Sequence, residues 1–402
     1  MRFTRARVPS DVRAEARSES VTIGAGYFWF YAGVGAFVPF NALYYRHLGF
    51  SGVELGVLTA MPAIATAISG PLWGILADSR GWHRQILRSV LLASSALILL
   101  LPHFTTFLPF LLAMMCIAFV LVPVPSMMDS YAVSAVERGG APYGLLRIFG
   151  SLGFTSVVVV MGWILADDLS SVFLYAYAAC NLIACLVAWR LPALGERQPR
   201  KVFAGMSDVF ANQAYRLLLL VAFLISAGYT TINIFLSLHI ESLGGDTSIS
   251  GIAFATSAMS ELPVIGFGAY ILRRFGARNV IYIALLVYII RFALIGFIPA
   301  TQAVIGAQML HGLSFGMFLI ASVTLAHRLV GRHYAATAQA LLAVVSAGMG
   351  TIVGSLIGGV AIDRVSTSSM YRVVALPMLL TLATFLIGVR KLSHDTYDPP
   401  AA

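Results

Sequence analysis

The sequence predicts an all-α polytopic membrane protein with twelve transmembrane helices in two six-helix bundles, and three observations lead to this fold class. The 402-residue chain is 59% hydrophobic and only 11% charged, with a mean hydropathy of +0.87, whereas a soluble domain carries about 25% charged residues. Its apolar residues form long runs, each near the about 20 residues that cross a bilayer. The longest polar stretch divides these runs into six and six. A water-soluble globule is therefore excluded.

The apolar runs set the order of the predicted helices. The loops between them are short and leave no room for a large domain outside the membrane. The predicted spans are 22–48, 53–77, 84–106, 108–136, 143–166, 171–190, 214–241, 248–272, 278–298, 301–328, 334–362 and 368–390. The predicted domains are a tail at 1–20, an N-terminal bundle at 21–190, a linker at 191–213, a C-terminal bundle at 214–391 and a second tail at 392–402.

The placement of the 26 Lys and Arg residues predicts the orientation in the membrane. Arg46, Arg364 and Arg372 lie in or near loops after odd-numbered spans, and Arg147 and Arg291 lie within spans. All other basic residues lie in the tails and in or near loops after even-numbered spans. By the positive-inside rule, both termini and the linker are cytoplasmic, and we expect a plasma (inner) membrane location. The net charge of +9 is thus explained by topology, and no nucleic-acid partner is expected.

An internal repeat relates the two halves of the chain. GILADSRGWHR at 74–84 follows span two, and GAYILRRFGAR at 268–278 follows span eight, half a chain later and on the same predicted side. Two pseudo-symmetric halves around a central cavity are the architecture of a secondary transporter. Cys116, Cys180 and Cys185 all lie in apolar runs, so we expect no disulfide framework, no metal site and no cofactor.

The stretch at 74–84 closely resembles the loop signature of the major facilitator superfamily, and the resemblance extends over nearly the whole chain. YGLLRIFGSLG at 143–153, ELPV at 261–264, RRFGAR at 273–278 and QMLHGLSFG at 308–316 are similar to its phenylpropionate-permease-like branch, which is related to the lactose and nucleoside proton symporters. The resemblance implies the major facilitator fold, proton-coupled symport and a functional monomer.

Five ionisable residues interrupt the apolar runs, and such groups at membrane depth usually mark a transport pathway or a proton relay. At about 1.5 Å per residue, Asp129 and Arg147 lie within about 5 Å of each other in depth, so they can pair. Glu261, His311 and Arg291 form a second group that extends from the midplane outwards. Since the groups occupy different halves of the repeat, we expect that they can face each other across a cavity.

Each of these residues also has a purely structural explanation. Arg147 can extend to the cytoplasmic surface from a helix start, with Asp129 as its counter-ion. Arg291 can lock Glu261 as a packing pair, and His311 can be a hydrogen-bonded core group. Glu261 is the strongest functional candidate, because it lies at the midplane and the proline that follows predicts a local break in its helix.

Resemblance to the sugar symporters implies a role for each position. Arg147 and Asp129 would hold polar groups of the substrate, and Phe154, two turns further on, would stack on it. Glu261, Arg291 and His311 would be the proton-coupling residues.

The chain departs from the symporter pattern at two positions. Ser314 stands where the sugar symporters have a second acid, so Glu261 or Asp129 would carry the proton. Gln308 stands where they have a lysine, and we place it with the substrate-binding residues. These differences make lactose an unexpected substrate.

The loop signature predicts a cytoplasmic gate. Gly74 permits close approach of helices, and Asp78 pairs with Arg80, with Arg84 or with the facing half.

Two asparagines, Asn41 in span one and Asn233 in span seven, either line the cavity or form hydrogen bonds between helices.

A proton-coupled importer of a small polar or aromatic-acid-type metabolite fits the sequence best, because Arg147 and Arg291 offer two guanidinium groups to a carboxylate. The expected partners are this substrate, protons and membrane lipid. An efflux antiporter shares the fold, but such antiporters resemble one another in a Gly-Pro pair in span five, where this chain has Gly150-Ser-Leu-Gly153. No HExxH, GxSxG or nucleotide-binding loop occurs, so neither an enzyme nor an ATP-driven pump is expected.

Overall fold

The computed structural model describes residues 10–194 and 205–391, and all regular elements within these two ranges are helices. Eleven helical stretches in this described part are long and apolar enough to cross a membrane. The predicted span at 171–190 corresponds to a shorter apolar helix of 17 residues, Val172–Ala188. A helix of this length spans about 26 Å, which is near the lower limit for crossing a bilayer. The predicted all-α membrane fold is confirmed.

The helices follow one another along the chain, and residues 189–205 separate α7 from α8. They are α1 (Ser10–His47), α2 (Gly52–Arg80), α3 (His83–Ile98), α4 (Phe107–Leu121), α5 (Pro123–Glu137), α6 (Tyr143–Ile164), α7 (Val172–Ala188), α8 (Met206–Ala211), α9 (Gln213–Ile234), α10 (Leu236–Ser242), α11 (Thr247–Gly266), α12 (Gly268–Phe297), α13 (Thr301–Met309), α14 (Met317–Val330), α15 (Ala335–Ala343), α16 (Thr351–Arg364) and α17 (Thr367–Lys391).

Several predicted spans consist of more than one helical segment. Span four is divided into α4 and α5 at Pro123, which lacks the N–H that a continuous helix needs. Spans ten and eleven each contain a π-helical segment, at Gly312–Gly316 and Val344–Gly350. In α12 the backbone leaves helical geometry at Gly276, with φ 75° and ψ 148°. Glycine adopts this φ without steric cost, so the end of span eight and the start of span nine meet at a kink.

The ends of the predicted domains have helical structure of their own. Helix α1 begins at Ser10, inside the predicted tail at 1–20, because residues 13–17 are mostly good helix formers. The short helix α8 lies inside the predicted linker at 191–213. Residues 1–9, 195–204 and the predicted tail at 392–402 lie outside the described residues. The domain boundaries stay a prediction.

The chain forms two compact units. The first falls within Met1–Phe37, Ile68–Val157 and Ser170–Pro199, and the second within Val38–Ala67, Val158–Leu169 and Arg200–Ala402.

Close backbone packing characterises each unit. In the first unit, a Cβ atom on Gly153 would overlap the carbonyl oxygen of Phe28. In the second, a Cβ on Gly354 would overlap the carbonyl oxygen of Ala227. Small residues at such crossings allow helix backbones to touch, and this fixes the neighbours of the polar side chains.

Candidate functional site

The first polar cluster, called the Asp129 cluster, contains Tyr27, Asp129, Tyr143 and Arg147 in the first unit. It is positioned by the close crossing of α1 and α6 at Gly153. Oδ1 of Asp129 accepts hydrogen bonds from the Tyr27 hydroxyl at 2.5 Å, the Tyr143 hydroxyl at 3.0 Å and Nη1 of Arg147 at 3.3 Å. The structure thus brings together the predicted pair of Asp129 and Arg147.

Asp129, Tyr143 and Arg147 of the Asp129 cluster are accessible, whereas Tyr27 is buried. The exposed fractions are 47% for the Arg147 side chain and 40% for the Asp129 side chain. The guanidinium carbon of Arg147 lies 5.6 Å from the ring centroid of Tyr31, which is cation–π distance. Guanidinium and phenol groups at an accessible position can exchange hydrogen bonds with a polar molecule.

Sequence reasoning missed the two tyrosines of this cluster. Tyr143 precedes Arg147 by four residues, so both lie on one face of α6. Tyr27 belongs to an aromatic run that covers every face of α1, and no spacing distinguishes it within that run. Only the packing of α1 on α5 and α6 identifies it.

The second polar cluster, called the Glu261 cluster, contains Glu261, Arg291, Gln308 and His311 in the second unit. Nε2 of His311 lies 2.7 Å from Oε1 of Glu261. Nη2 of Arg291 donates to Oε1 of Gln308. Arg291 also interacts electrostatically with Glu261 and His311, so these four residues form one group.

The partner of Glu261 is His311, and a direct hydrogen bond or ion pair with Arg291 is not formed among the described residues. The reason lies next to His311, where Gly312 begins a π-helical segment and its Cα approaches α11 so closely that a Cβ would overlap the carbonyl oxygen of Ser260. The Ser260 hydroxyl accepts a hydrogen bond from the Gly312 N–H at 2.9 Å. This contact holds His311 beside Glu261.

Arg291 is the most unusual group of the second unit. Its residue is 1% exposed, and within residues 10–194 and 205–391 its Nε and Nη1 have no hydrogen-bond partner. A buried charge without a counter-ion in direct contact is costly. An ionisable residue at membrane depth is a candidate for a functional site.

Aromatic rings cover the histidine of this cluster. The ring of Phe315 lies parallel to that of His311 at 5.2 Å, with 7° between the planes, and Tyr229 stacks on His311 at 5.6 Å. Phe315 belongs to the π-helical segment, and such segments occur frequently at functional sites. The hydroxyl of Ser314, at the position of the symporters' second acid, donates within its own helix, to the carbonyl of Leu310 at 3.1 Å.

The remaining predicted substrate residues stand apart from the two clusters. Phe154 in α6, Asn41 in α1 and Asn233 in α9 are all partly buried. In the described part of the chain, neither asparagine forms a hydrogen bond with a cluster residue. Their roles stay predictions.

The predicted gate has a different pairing from the expected one. Asp78 pairs with Nε2 of His83 at 3.1 Å, and not with Arg80 or Arg84. The turn at Gly81 has φ 63°, a conformation that favours glycine. It places His83, the first residue of α3, back beside the end of α2.

The other gate residues have local contacts. Arg80 stacks on the ring of Trp82 at 4.6 Å, and Nη1 of Arg84 donates to the carbonyl of Leu191 at 3.3 Å. Outside the neighbouring residues of its own helix, no atom of the described residues lies within 4 Å of the Cβ position of Gly74, so the expected close approach is not formed among them. The gate role of these residues stays a prediction. Among the described residues, no group of three His, Cys, Asp or Glu side chains is arranged to hold a metal ion.

Comparisons with known proteins agree with this architecture. The model of the MFS_1 like family matches residues 21–373. The maltose permease of Geobacillus stearothermophilus is 28% identical over 350 residues, which cover 86% of this chain and 88% of that protein. The multidrug resistance protein MdtG of Proteus mirabilis (strain HI4320) is 27% identical over 248 residues, 58% of this chain and 60% of that protein.

A nucleoside transporter is similar in both sequence and structure. The nucleoside permease NupG of Escherichia coli (strain K12) is 22% identical over 342 residues, 79% of this chain and 81% of that protein. A crystal structure of nucleoside transporter NupG superimposes with a TM-score of 0.81 at 20% identity, covering 92% of this chain and 99% of that one. At this identity the likeness establishes the fold.

Proposed function

We propose, from the premise that the chain belongs to the MFS_1 like family, that this membrane transporter carries a small polar metabolite into the cell together with protons. The chain is a transporter and not an enzyme. Two of its relatives are named as permeases, for maltose and for nucleosides. From these relatives we infer that this chain imports a polar compound. Proton coupling is our inference from the Glu261 cluster.

The single observation that carries the proposal is the Glu261–His311 hydrogen bond of 2.7 Å beside the buried Arg291. A carboxylate and an imidazole in contact can share and exchange one proton. Oδ1 of Asp129, the other predicted carrier, already accepts three hydrogen bonds, whereas Oε1 of Glu261 is in contact with the imidazole of His311. We therefore assign the proton to Glu261.

Charge balance explains how the proton is coupled to movement. With Glu261 ionised and His311 neutral, the negative charge of Glu261 offsets the positive charge of Arg291. When Glu261 takes up a proton, Arg291 is left as a net buried charge, which costs several kcal/mol. The protonated and deprotonated forms then favour different conformations, as alternating access requires.

The Asp129 cluster is our proposed anchor for the substrate. Arg147 and Tyr143 would exchange hydrogen bonds with substrate hydroxyl or carbonyl groups, and Phe154 would stack on a ring. The partly buried Asn41 and Asn233 and the amide of Gln308 would add further polar contacts.

Replacing the proton carrier tests the proposal. The Glu261→Gln variant, reconstituted in proteoliposomes, should lose accumulation driven by a pH gradient and keep exchange of labelled substrate. The matched control is Glu241→Gln. Glu241 also pairs with a histidine, His47, at 2.9 Å, but both side chains of that pair are about half exposed. The control should accumulate substrate normally. Full gradient-driven accumulation by Glu261→Gln would refute the assignment.

Efflux is the second candidate function, because the chain is also similar to the multidrug resistance protein MdtG. An importer and an antiporter differ in the direction of proton movement relative to substrate. In proteoliposomes of known orientation, an acidic compartment on the substrate side drives symport, whereas an acidic compartment on the opposite side drives antiport. Accumulation only in the second arrangement would replace import by efflux.

We also propose a plasma (inner) membrane location, cytoplasmic termini and a functional monomer surrounded by lipid. The asymmetry of basic residues supports the orientation. A reporter that works only in the cytoplasm, fused to the C-terminus of this chain, should give a signal. An inactive reporter would reverse the topology.

A further inference from the structure

A cavity of about 320 Å³ lies inside the second unit, next to the Glu261 cluster. Side chains from α9, α12, α14, α15, α16 and the two π-helical segments line it. The lining includes Tyr229 and Phe315, the two rings that stack on His311. An occupant of the cavity therefore contacts the same rings as the proposed proton site.

Two polar groups that line this cavity have no partner in the described structure. Tyr288 is fully buried, and its hydroxyl has no hydrogen-bond partner there. The Oε1 atom of Gln339 is likewise buried and unpartnered. By contrast, the hydroxyl of Ser346 in the same lining donates to the carbonyl of Leu342 at 2.7 Å. Tyr288 and Gln339 are thus two lining residues with a buried polar atom that lacks a hydrogen bond in the described structure, a situation that is rare in proteins.

The chemistry of the lining selects an uncharged ligand. All lining residues are neutral, and most are apolar or aromatic. Arg291 binds Gln308 and does not line the cavity, so a carboxylate would be buried here without a cationic partner, at high cost. The volume is near the lower end of ligand pockets, about 300–1,000 Å³. A compact compound of one or two rings fits these limits.

We propose that this cavity is a substrate pocket, and that it takes an uncharged compound with a flat ring. This inference rests on the proposed transport function and names its substrate class. The ring would stack on Tyr229 and Phe315, a donor on the ligand would bind Oε1 of Gln339, and an acceptor would receive the hydroxyl of Tyr288. Because the same two rings stack on His311, an occupied pocket contacts the rings that pack against the side chain bonded to the proposed proton carrier.

Equilibrium binding to the purified full-length protein tests the proposal. Uridine, maltose and benzoate are compared at one pH without a proton gradient. Uridine should bind, and benzoate should not. Gln339→Leu and Tyr288→Phe should each weaken uridine binding about tenfold, the effect of one lost hydrogen bond to a buried group. Ser346→Ala is the matched control and should change binding less than about twofold, because its hydroxyl is already bonded within its helix.

The stability of the ligand-free protein separates recognition from a structural role. Since Oε1 of Gln339 is unpartnered, Gln339→Leu without any probe should melt no lower than the wild type. A lower melting temperature would make Gln339 structural and overturn its role in binding. Binding of benzoate or maltose in place of uridine, unchanged uridine binding in both variants, or no binding of uridine would overturn the pocket. A failure of the proposed transport function would give a different result: uridine would bind normally, but a pH gradient would drive no uptake.

Discussion

Asp363 connects the end of α16 to the start of α2, and its removal should lower the stability of the second unit measurably. Oδ1 of Asp363 accepts from the N–H of Gly52 at 2.7 Å, and Oδ2 accepts from the N–H of Val53 at 3.1 Å. These N–H groups are among the first four of α2, which have no acceptor inside their own helix. Asp363 thus caps a helix that is remote in sequence, and Arg46 adds an ion pair at 3.4 Å.

The expected loss follows from these contacts. A helix N-cap contributes about 0.5–2 kcal/mol, and a partly exposed ion pair adds about 0–1 kcal/mol. The Asp363 side chain is 29% exposed, so we expect about 2 kcal/mol in total for Asp363→Ala. With an unfolding entropy of about 2.1 cal/mol/K per residue, this corresponds to a decrease of about 2–3 °C in the melting temperature.

The assay is thermal unfolding of the purified protein in detergent. Asp363→Asn keeps one oxygen acceptor and should lie between the wild type and Asp363→Ala. Asp168→Ala is the control, because Asp168 is an exposed aspartate, and it should melt within about 0.5 °C of the wild type, as surface substitutions usually do. An Asp363→Ala protein that melts at the wild-type temperature would refute the capping argument.

Three further perturbations test other parts of the molecule. Gly153→Val should greatly reduce the yield of folded protein, because the valine side chain would overlap the backbone of Phe28. The control Gly144→Ala has open space around the Cβ position and should fold normally. Equal size-exclusion profiles of the two variants would contradict this prediction. Asp246→Ala should lower stability by about 1 kcal/mol at pH 7, since Asp246 caps α11. A hydrogen bond from the serine two residues further on lowers the pKa of Asp246 from its usual 3.8; its contribution is therefore present above about pH 4 and is lost as the pH falls through the lower folded pKa. A stability gap between wild type and variant that is as large at pH 2 as at pH 7 would contradict it. Arg147→Lys should weaken substrate binding about tenfold with little change in melting, because lysine keeps the charge and lacks the planar fork; unchanged affinity would remove Arg147 from the proposed anchor.

The sequence predicted the membrane depth of the ionisable residues better than it predicted their hydrogen-bond partners. An ionisable residue inside an apolar run has a depth that follows from simple counting, so the proximity of Asp129 to Arg147 and of Glu261 to His311 could be anticipated. Which residue forms a hydrogen bond also depends on the rotation of each helix about its axis, and packing fixes that rotation. Arg291 consequently bonds Gln308 and not Glu261.

Irregular backbone accounts for most of the remaining differences. The π-helical segment after His311 shifts the side chains that follow, and no residue pattern in QMLHGLSFG predicts it. The turn at Gly81 likewise gives Asp78 a histidine partner where charge alone indicated an arginine. In both places a glycine allows a backbone position whose consequences appear only after the neighbouring helix is placed.

The charge of the transported proton gives the coupling proposal its energetic basis. Moving one net charge across a membrane potential of 100 mV yields about 2.3 kcal/mol, enough for about fiftyfold accumulation of a neutral substrate at 298 K. A neutral substrate adds no charge of its own, so the proton must supply it. The uncharged lining of the cavity beside Tyr229 and Phe315 favours a neutral substrate. The single carboxylate of the Glu261 cluster would then carry the proton that supplies the transported charge. If the transported compound were a monoanion, one proton per substrate would move no net charge, and accumulation would depend on the pH difference alone. Varying the membrane potential at equal pH consequently distinguishes the two substrate classes: we expect accumulation to increase with the potential, and independence from it would contradict an uncharged substrate.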